Sequence, residues 1–351
     1  MGRFIVRRLL WMFLVLFVVS LITFLLMHGV PGGPFDSEKA LPAEIKKNLE
    51  AKYHLNEPLW RQYLFYLYDV TVPRVTTEKP STSLLDSYLI EAKLGNVYFR
   101  WMNFGPSYAS KTRTVNDIFR DNLPISFQLG ILAVIFALAI GVPLGVLAAL
   151  RQNTWVDYLT MGVAIFGVSV PAIVLAPILV ALFAVELRWL PATGWGAKPP
   201  FLLGFIPANL APDFFRYALL PAIALGMAGS AVFARLTRAS LLQVIREDFI
   251  RTARAKGLAE RTVIVRHALR NALIPVTTII GPYFAAVVTG TFVIELIFGI
   301  PGLGRYFVTS VTNRDYPVIM GTILLYAFVL VIANVVVDIV YAFLDPRIRV
   351  Q

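Results

Sequence analysis

Six long apolar stretches, separated by more polar connections, constrain this chain more than any other feature of its sequence. A helix needs about 20 mainly apolar residues to cross a bilayer. Stretches of that kind run from about Leu9 to His28, Leu123 to Leu150, Tyr158 to Val185, Tyr217 to Phe233, Leu273 to Phe298 and Val318 to Leu344. The second contains Gly141, Pro143 and Gly145, and the third contains Pro171 and Pro177. The fourth is the shortest and includes Pro221. Hydrophobic residues make up 58% of the chain and charged residues 15%, and the apolar excess sits in these blocks. The expectation is an all-α membrane protein with six transmembrane helices.

The distribution of Lys and Arg orients those helices. The first stretch follows Arg3, Arg7 and Arg8. It is longer than the apolar region of a signal peptide, and Val30-Pro31-Gly32-Gly33-Pro34 follows it in place of a small-residue cleavage site, so it reads as a retained helix. With the N-terminus inside, the inner pieces hold Arg151, Arg347, Arg349 and a cluster from Arg235 to Arg270. The two short outer loops hold only Arg188, Lys198, Arg216, Arg305 and Arg314. That asymmetry predicts both termini on the inner side, and it accounts for the net charge of +11 without nucleic acid. The chain has no cysteine, and its three histidines, His28, His54 and His267, lie far apart. No thiolate chemistry and no histidine-based metal site is therefore expected.

The organisation read from this pattern is an N-terminal helix (1–28), a long outer loop (29–122) and a core of five spans (123–351). In the outer loop, Pro42 to Tyr68 reads as helix broken near Asn56-Glu57-Pro58. Thr71 to Ser83, with its prolines and mixed charges, reads as irregular chain. Trp11, Trp155, Trp189 and Trp195 fall near the expected interfaces, where aromatic anchors collect. The Gly299–Gly304 stretch reads as a tight external turn.

The inner loop at 234–275 carries the most information. It reads as a strong helix, a glycine stop and a second helix that runs into the next span. Gly257 sits where a helix ends in the left-handed conformation, and Glu260 is placed to begin the next helix. A short helix with a basic surface, an aromatic residue at Phe249 and small residues at Ala253 and Ala255 suits docking into a partner's groove. Read on charge alone, the loop is an ordinary positive-inside connection.

The strings within it are more specific. Arg251-Thr252-Ala253-Arg254-Ala255-Lys256-Gly257 and Arg266-His267-Ala268-Leu269-Arg270-Asn271-Ala272 resemble the EAA loop of ABC importer permeases. The first triplet lacks the family's Glu, and the Leu273-Ile274-Pro275 ending comes late. Both departures are similar to those of the dipeptide and oligopeptide permease subfamily. Gly141-Val142-Pro143-Leu144-Gly145, Leu220-Pro221-Ala222, Ile297 to Gly304, Arg314-Asp315-Tyr316-Pro317 and Asp345-Pro346-Arg347 also match. The stretch from about 73 to 103 matches poorly and looks like an insertion. The resemblance implies a type I ABC importer permease fold in a prokaryotic cell membrane. It implies a second, homologous permease, two cytoplasmic ATPases and an extracytoplasmic solute-binding protein as partners. ATP and Mg would be bound by the ATPases, so this chain would carry no cofactor and no catalytic residue; it does lack the phosphate-cradling Gly-x-x-x-x-Gly-Lys-[Ser/Thr] loop. Contact with an ATPase would fall on Phe249, Arg251, Thr252, Ala253, Arg254, Ala255, Lys256 and Gly257. The resemblance implies a translocation path for short peptides, with oligosaccharides, nickel or glutathione as the alternatives among members of this subfamily; nothing in the permease sequence itself decides among them.

Polar groups inside apolar segments face protein or water, because lipid penalises them. On that ground Gln128, Glu295, Asn334 and Asp338 are the candidates for a translocation path. A hydrogen bond between helices is the plainer reading for Asn334 and Asp338, and an interfacial acid for Glu295. A secondary transporter is the competing class. It often carries inverted repeats and several deep ionisable residues, and neither is visible here. A membrane enzyme would need an acid–base or metal cluster, which the sequence does not offer.

Overall fold

The computed structural model describes residues 2–36, 42–79, 81, 83–199, 201, 205–207, 212–289 and 291–344, with side chains except at 2–6, 9, 43, 46, 212, 289 and 337–344. Among the described residues, four helices are long and apolar enough to cross a membrane, or up to six spans if two sharply bent helix pairs each count as one. The chain divides into two compact units, one of residues 2–125 and 302–328, the other of 126–301 and 329 onward.

The first unit contains α1 (Gly2–Gly29), α2 (Ala43–Lys52), α3 (Leu59–Thr71), the start of α4 (Val115–Leu150), α13 (Gly304–Thr312) and the start of α14 (Tyr316–Leu344). The break between α2 and α3 falls at Asn56-Glu57-Pro58, and Pro58 caps α3. Phe24, Met27, Tyr63, Tyr316, Ile319 and Met320 form one core cluster. A hydroxyl pair, Ser20 with Tyr63 at 2.8 Å, joins α1 to α3 beside it. Asp315 closes the unit: its carboxylate accepts the backbone N–H of Tyr108 at 3.0 Å and of Ala109 at 3.2 Å, and the Ser107 hydroxyl.

Within the Thr71–Ser83 stretch read as irregular, Arg74–Thr76 is a strand, and the chain beyond it adds two more. Together they form a three-stranded antiparallel sheet of β1 (Arg74–Thr76), β2 (Ile90–Leu94) and β3 (Val97–Trp101), in the order β1-β3-β2. Its nucleus is a hairpin in which Leu94 faces Val97 across Gly95-Asn96. Gly95 has φ +63, the left-handed backbone that a two-residue hairpin turn requires. Val75 and Ala92 both lie opposite Phe99, so the central strand is paired on both sides.

The second unit is built around α7 (Pro212–Val244), which extends well beyond the Tyr217–Phe233 block read from hydropathy. Its last turns carry polar residues that an apolar window rejects, yet Leu241 there is fully buried. α4 crosses α7 at backbone distance. A Cβ at Gly141 would come within 2.4 Å of the Ser230 carbonyl oxygen, and one at Gly145 within 2.4 Å of that of Ala234. A Cβ at Gly226 of α7 would meet the Ala133 carbonyl oxygen at 2.5 Å. Small residues allow this approach, which drives helix association where lipid removes the hydrophobic effect.

The third apolar stretch is not one straight helix. α5 (Trp155–Ser169) and α6 (Ala172–Leu179), with a wider π-helical turn at Val180–Glu186, meet at 104°. Pro171 lacks an N–H and forces Val170 to an extended backbone, φ −92 and ψ 112, so the helix ends there. The second bent pair joins Glu260–Ala272 to α11 (Ile274–Thr289) at 49°; the short α12 (Phe292–Ile297) comes later, and Gly299 beyond it has φ +61. Trp195 departs from its reading as an interfacial anchor: it is 3% exposed and packs edge-on against Phe214.

Filling the α4–α7 crossing should be costly. Gly145→Val is expected to destabilise the protein by about 1–3 kcal/mol through overpacking, seen as a lower thermal midpoint in detergent. Gly162 has open space around it, so Gly162→Val should change stability by no more than about 0.5 kcal/mol.

Candidate functional site

The connection after α7 is compact. Leu241 and Val244 accept the turn's N–H groups from Ile245 at 3.0 Å and Glu247 at 3.1 Å. Glu247, in extended conformation, precedes α8 (Asp248–Ala255), and Asp248 in its first turn suits the positive end of the helix. The Gly257 N–H donates to the Arg254 carbonyl at 2.9 Å, with φ +74 at Gly257. No atom lies within 4 Å of where a Cβ would stand, so glycine is needed here for backbone conformation and not for space. α9 (Glu260–Thr262), a π-helical turn (Val263–Ala268) and α10 (Leu269–Ala272) lead on to α11.

α8 has two faces with different roles. Ile250 is fully buried and Ala253 is 6% exposed. Both pack with Ala149 of α4, Leu241 of α7, and Val263, Ile264, Ala268 and Ala272. The opposite face holds Phe249, Arg251, Thr252, Arg254, Ala255 and Lys256, all exposed. Ala253 therefore anchors the helix from within, and it is set apart from the other residues of the sequence-read contact. Leu258, which sequence reading passed over, is 40% exposed and Phe249 is 43% exposed. An exposed apolar residue straight after a glycine stop was the available signal. Arg254 bridges the turn with two hydrogen bonds to Glu260, at 2.7 and 3.1 Å. Both side chains are largely solvated, so the pair adds little stability. The chemistry on offer is recognition: two apolar side chains among cations, one on a short helix packed against the ends of α4 and α7 and one just past its glycine stop.

Among the described residues, the other candidates Gln128 and Glu295 are held by separate partners. The Gln128 amide is engaged at both ends: its Nε2 donates to the Phe205 carbonyl at 2.6 Å and its Oε1 accepts from Trp195 Nε1 at 2.8 Å. It fastens α4 to the chain between α6 and α7. Glu295 is 1% exposed, and Ser126 donates to its Oε1 at 2.6 Å. Asn334 is half-buried, and the Asp338 side chain lies outside the described residues. Among the described residues no group of three His, Asp or Glu is arranged to hold a metal.

Comparison with known proteins bears on the whole chain. The family described as binding-protein-dependent transport system inner membrane component matches residues 141–350, and its N-terminal companion matches residues 1–130. The dipeptide transport system permease protein DppB of Bacillus subtilis (strain 168) is 40% identical over 351 residues, 100% of this chain and 99% of that protein. The oligopeptide transport system permease protein OppB of Haemophilus influenzae is 40% identical, and that of Salmonella typhimurium 41%, each over 99% of this chain and 100% of the relative. Among solved structures, an inward facing conformation of the MetNI methionine ABC transporter is similar with a TM-score of 0.48 and 15% identity, covering 64% of this chain and 94% of that one.

The two faces of α8 should respond differently to truncation. Ile250→Ala removes a fully buried side chain at a cost of about 2–5 kcal/mol, and hydrogen exchange across 248–255 should accelerate as α8 undocks. Phe249→Ala should leave that exchange near the wild-type rate.

Proposed function

This chain belongs to the family of binding-protein-dependent transport system inner membrane components, and from that premise we propose that it is the multi-pass permease of an ATP-driven peptide importer. It forms part of the path for short peptides delivered by a solute-binding protein. The observation that carries this reading is the full-length identity of about two residues in five with dipeptide and oligopeptide permeases. With the N-terminus inside, α8 lies on the cytoplasmic side, and its exposed face of Phe249, Arg251, Thr252, Arg254, Ala255, Lys256 and Leu258 meets one of two ATPase subunits. A second, homologous permease completes the membrane pore. ATP and Mg bind to the ATPases, and this chain performs no hydrolysis.

The coupling has an energetic condition. ATP shifts the permease between states only if α8 interacts differently with the open and closed ATPase dimers. A shift from mostly one state to mostly the other needs about 5.5 kcal/mol of differential binding. One short helix meets that demand only if its contact is not dissipated by motion within the permease. The buried Ile250–Ala253 side supplies that stiffness, because it locks α8 to α4 and α7.

The test uses the assembled complex in lipid with its binding protein. Short peptides bound to that protein are expected to stimulate ATP hydrolysis and to be transported. Phe249→Ala and Gly257→Val should each lower transport per ATP by about tenfold, equivalent to about 1.4 kcal/mol of lost coupling. Normal transport in both variants would remove the coupling role from α8, and a complex that ignores peptides would exclude them as substrate.

A further inference from the structure

The cytoplasmic end of the second unit contains a charged pair that the contact surface of α8 does not use. Asp157, in the first turn of α5, is 3% exposed at its side chain, and Arg238 of α7 is 28% exposed. Arg238 Nε donates to one carboxylate oxygen and Nη2 to the other, both at 2.7 Å. This is the two-pronged geometry that fixes orientation as well as distance. The same carboxylate accepts the Asn153 N–H at 3.0 Å. Asn153 is a non-glycine residue at φ +62, in the turn between α4 and α5. The Asp157 carboxylate thus holds the turn that leaves α4, the first turn of α5 and the side of α7.

Its position relative to α8 is the second observation. Arg238 lies three residues before Leu241, the α7 residue clustered with Ile250 and Ala253. Thr237, next to Arg238, is fully buried where a Cβ on Gly145 of α4 would come within 2.7 Å of its own Cβ. Farther along, α5 touches α7 through Gly167, whose Cβ would lie 2.8 Å from Met227. That contact is apolar packing, and the Asp157–Arg238 pair adds a directional bond beside it.

We propose that the Asp157–Arg238 pair is the joint that makes α5 follow α7, so that displacement of α8 reaches the 104° bend and α6 beyond it. Both act as positioning residues, through the contacts they make within this chain. The inference rests on the coupling role assigned to α8 and adds the route by which that motion enters the third span.

Two measurements on the assembled complex in lipid decide it. The chain has no native cysteine, so spin labels at Trp155→Cys and Gln243→Cys report the α5–α7 distance directly when the other subunits are made cysteine-free. In an otherwise wild-type complex that distance should be the same without nucleotide and after vanadate trapping with ATP. In the Asp157→Asn background it should change or broaden on trapping. Asp157→Asn and Arg238→Gln should each reduce transport per ATP by about tenfold. The double variant should be no worse than either single, as expected for two halves of one interaction. A purely static pair would lower the yield or thermal midpoint of the complex and leave transport per ATP intact, which overturns the proposal. A wild-type label distance that changes on trapping overturns it too, and this measurement still decides if the charge variants fail to assemble. Phe249→Ala separates the two levels. If it uncouples while the charge variants do not, only the joint fails; if it does not uncouple, the role of α8 fails with it.

Discussion

The close crossing of α4 and α7 is the contact on which the second unit depends. In lipid, apolar side chains gain nothing by leaving solvent, so helices associate through packing, hydrogen bonds and close backbone approach. Gly141, Gly145 and Gly226 supply that approach by leaving no side chain between the two backbones. The crossing places Ala149, near the end of α4, and Leu241, near the end of α7, in one buried cluster with the inward side of α8. Without that base the short helix would be a mobile loop segment, since eight residues are too few to hold a helix by themselves.

The same physics explains where irregular backbone is tolerated. The 104° bend at Val170–Pro171 interrupts a segment that hydropathy alone reads as continuous. An interrupted helix leaves N–H and C=O groups without their intrahelical partners, and such breaks survive in a membrane only where protein or water covers them. The chain between α6 and α7 is fastened to α4 by the Gln128 amide, which joins Trp195 and the Phe205 carbonyl. A polar residue deep in a span therefore has structural work here. Glu295, held by the Ser126 hydroxyl, is similar in this conformation.

Much of this was legible in the sequence, for identifiable reasons. The apolar blocks located the helices because lipid imposes a minimum length on them. Gly257 was legible as a helix stop because positive φ strongly favours glycine, and Pro58 as a break because proline fixes its own backbone and that of its neighbour. The sheet at 74–101 was missed because β1 is only three residues long, although Gly95-Asn96 between Leu94 and Val97 is a recognisable hairpin turn. The extension of α7 was missed because hydropathy stops counting where residues turn polar, while the helix continues. Trp195 was misplaced because indole suits both an interface and a buried hydrogen bond, and only the tertiary partner Gln128 decides between them. The Asp157–Arg238 pair was out of reach for the same reason: 81 residues separate its members, and no local pattern marks them as neighbours.

The stretch from Arg251 to Gly257 illustrates why a motif is not yet a mechanism. Read as a string, it invites a single role for all its residues. In the fold, Ala253 faces the permease and the exposed residues around it face away. A small residue at 253 lets α8 lie close against α4 and α7, and the charges at 251, 254 and 256 are exposed on the other side. A Cβ at Gly257 would meet nothing, yet the residue's φ of +74 sets the direction in which the chain leaves for Glu260. Substitution on the inner side would change how firmly the helix is held, and in the proposed coupling role substitution on the outer side would change what it meets. Transmission in that role would need both, because force applied to a loosely seated helix moves only the helix.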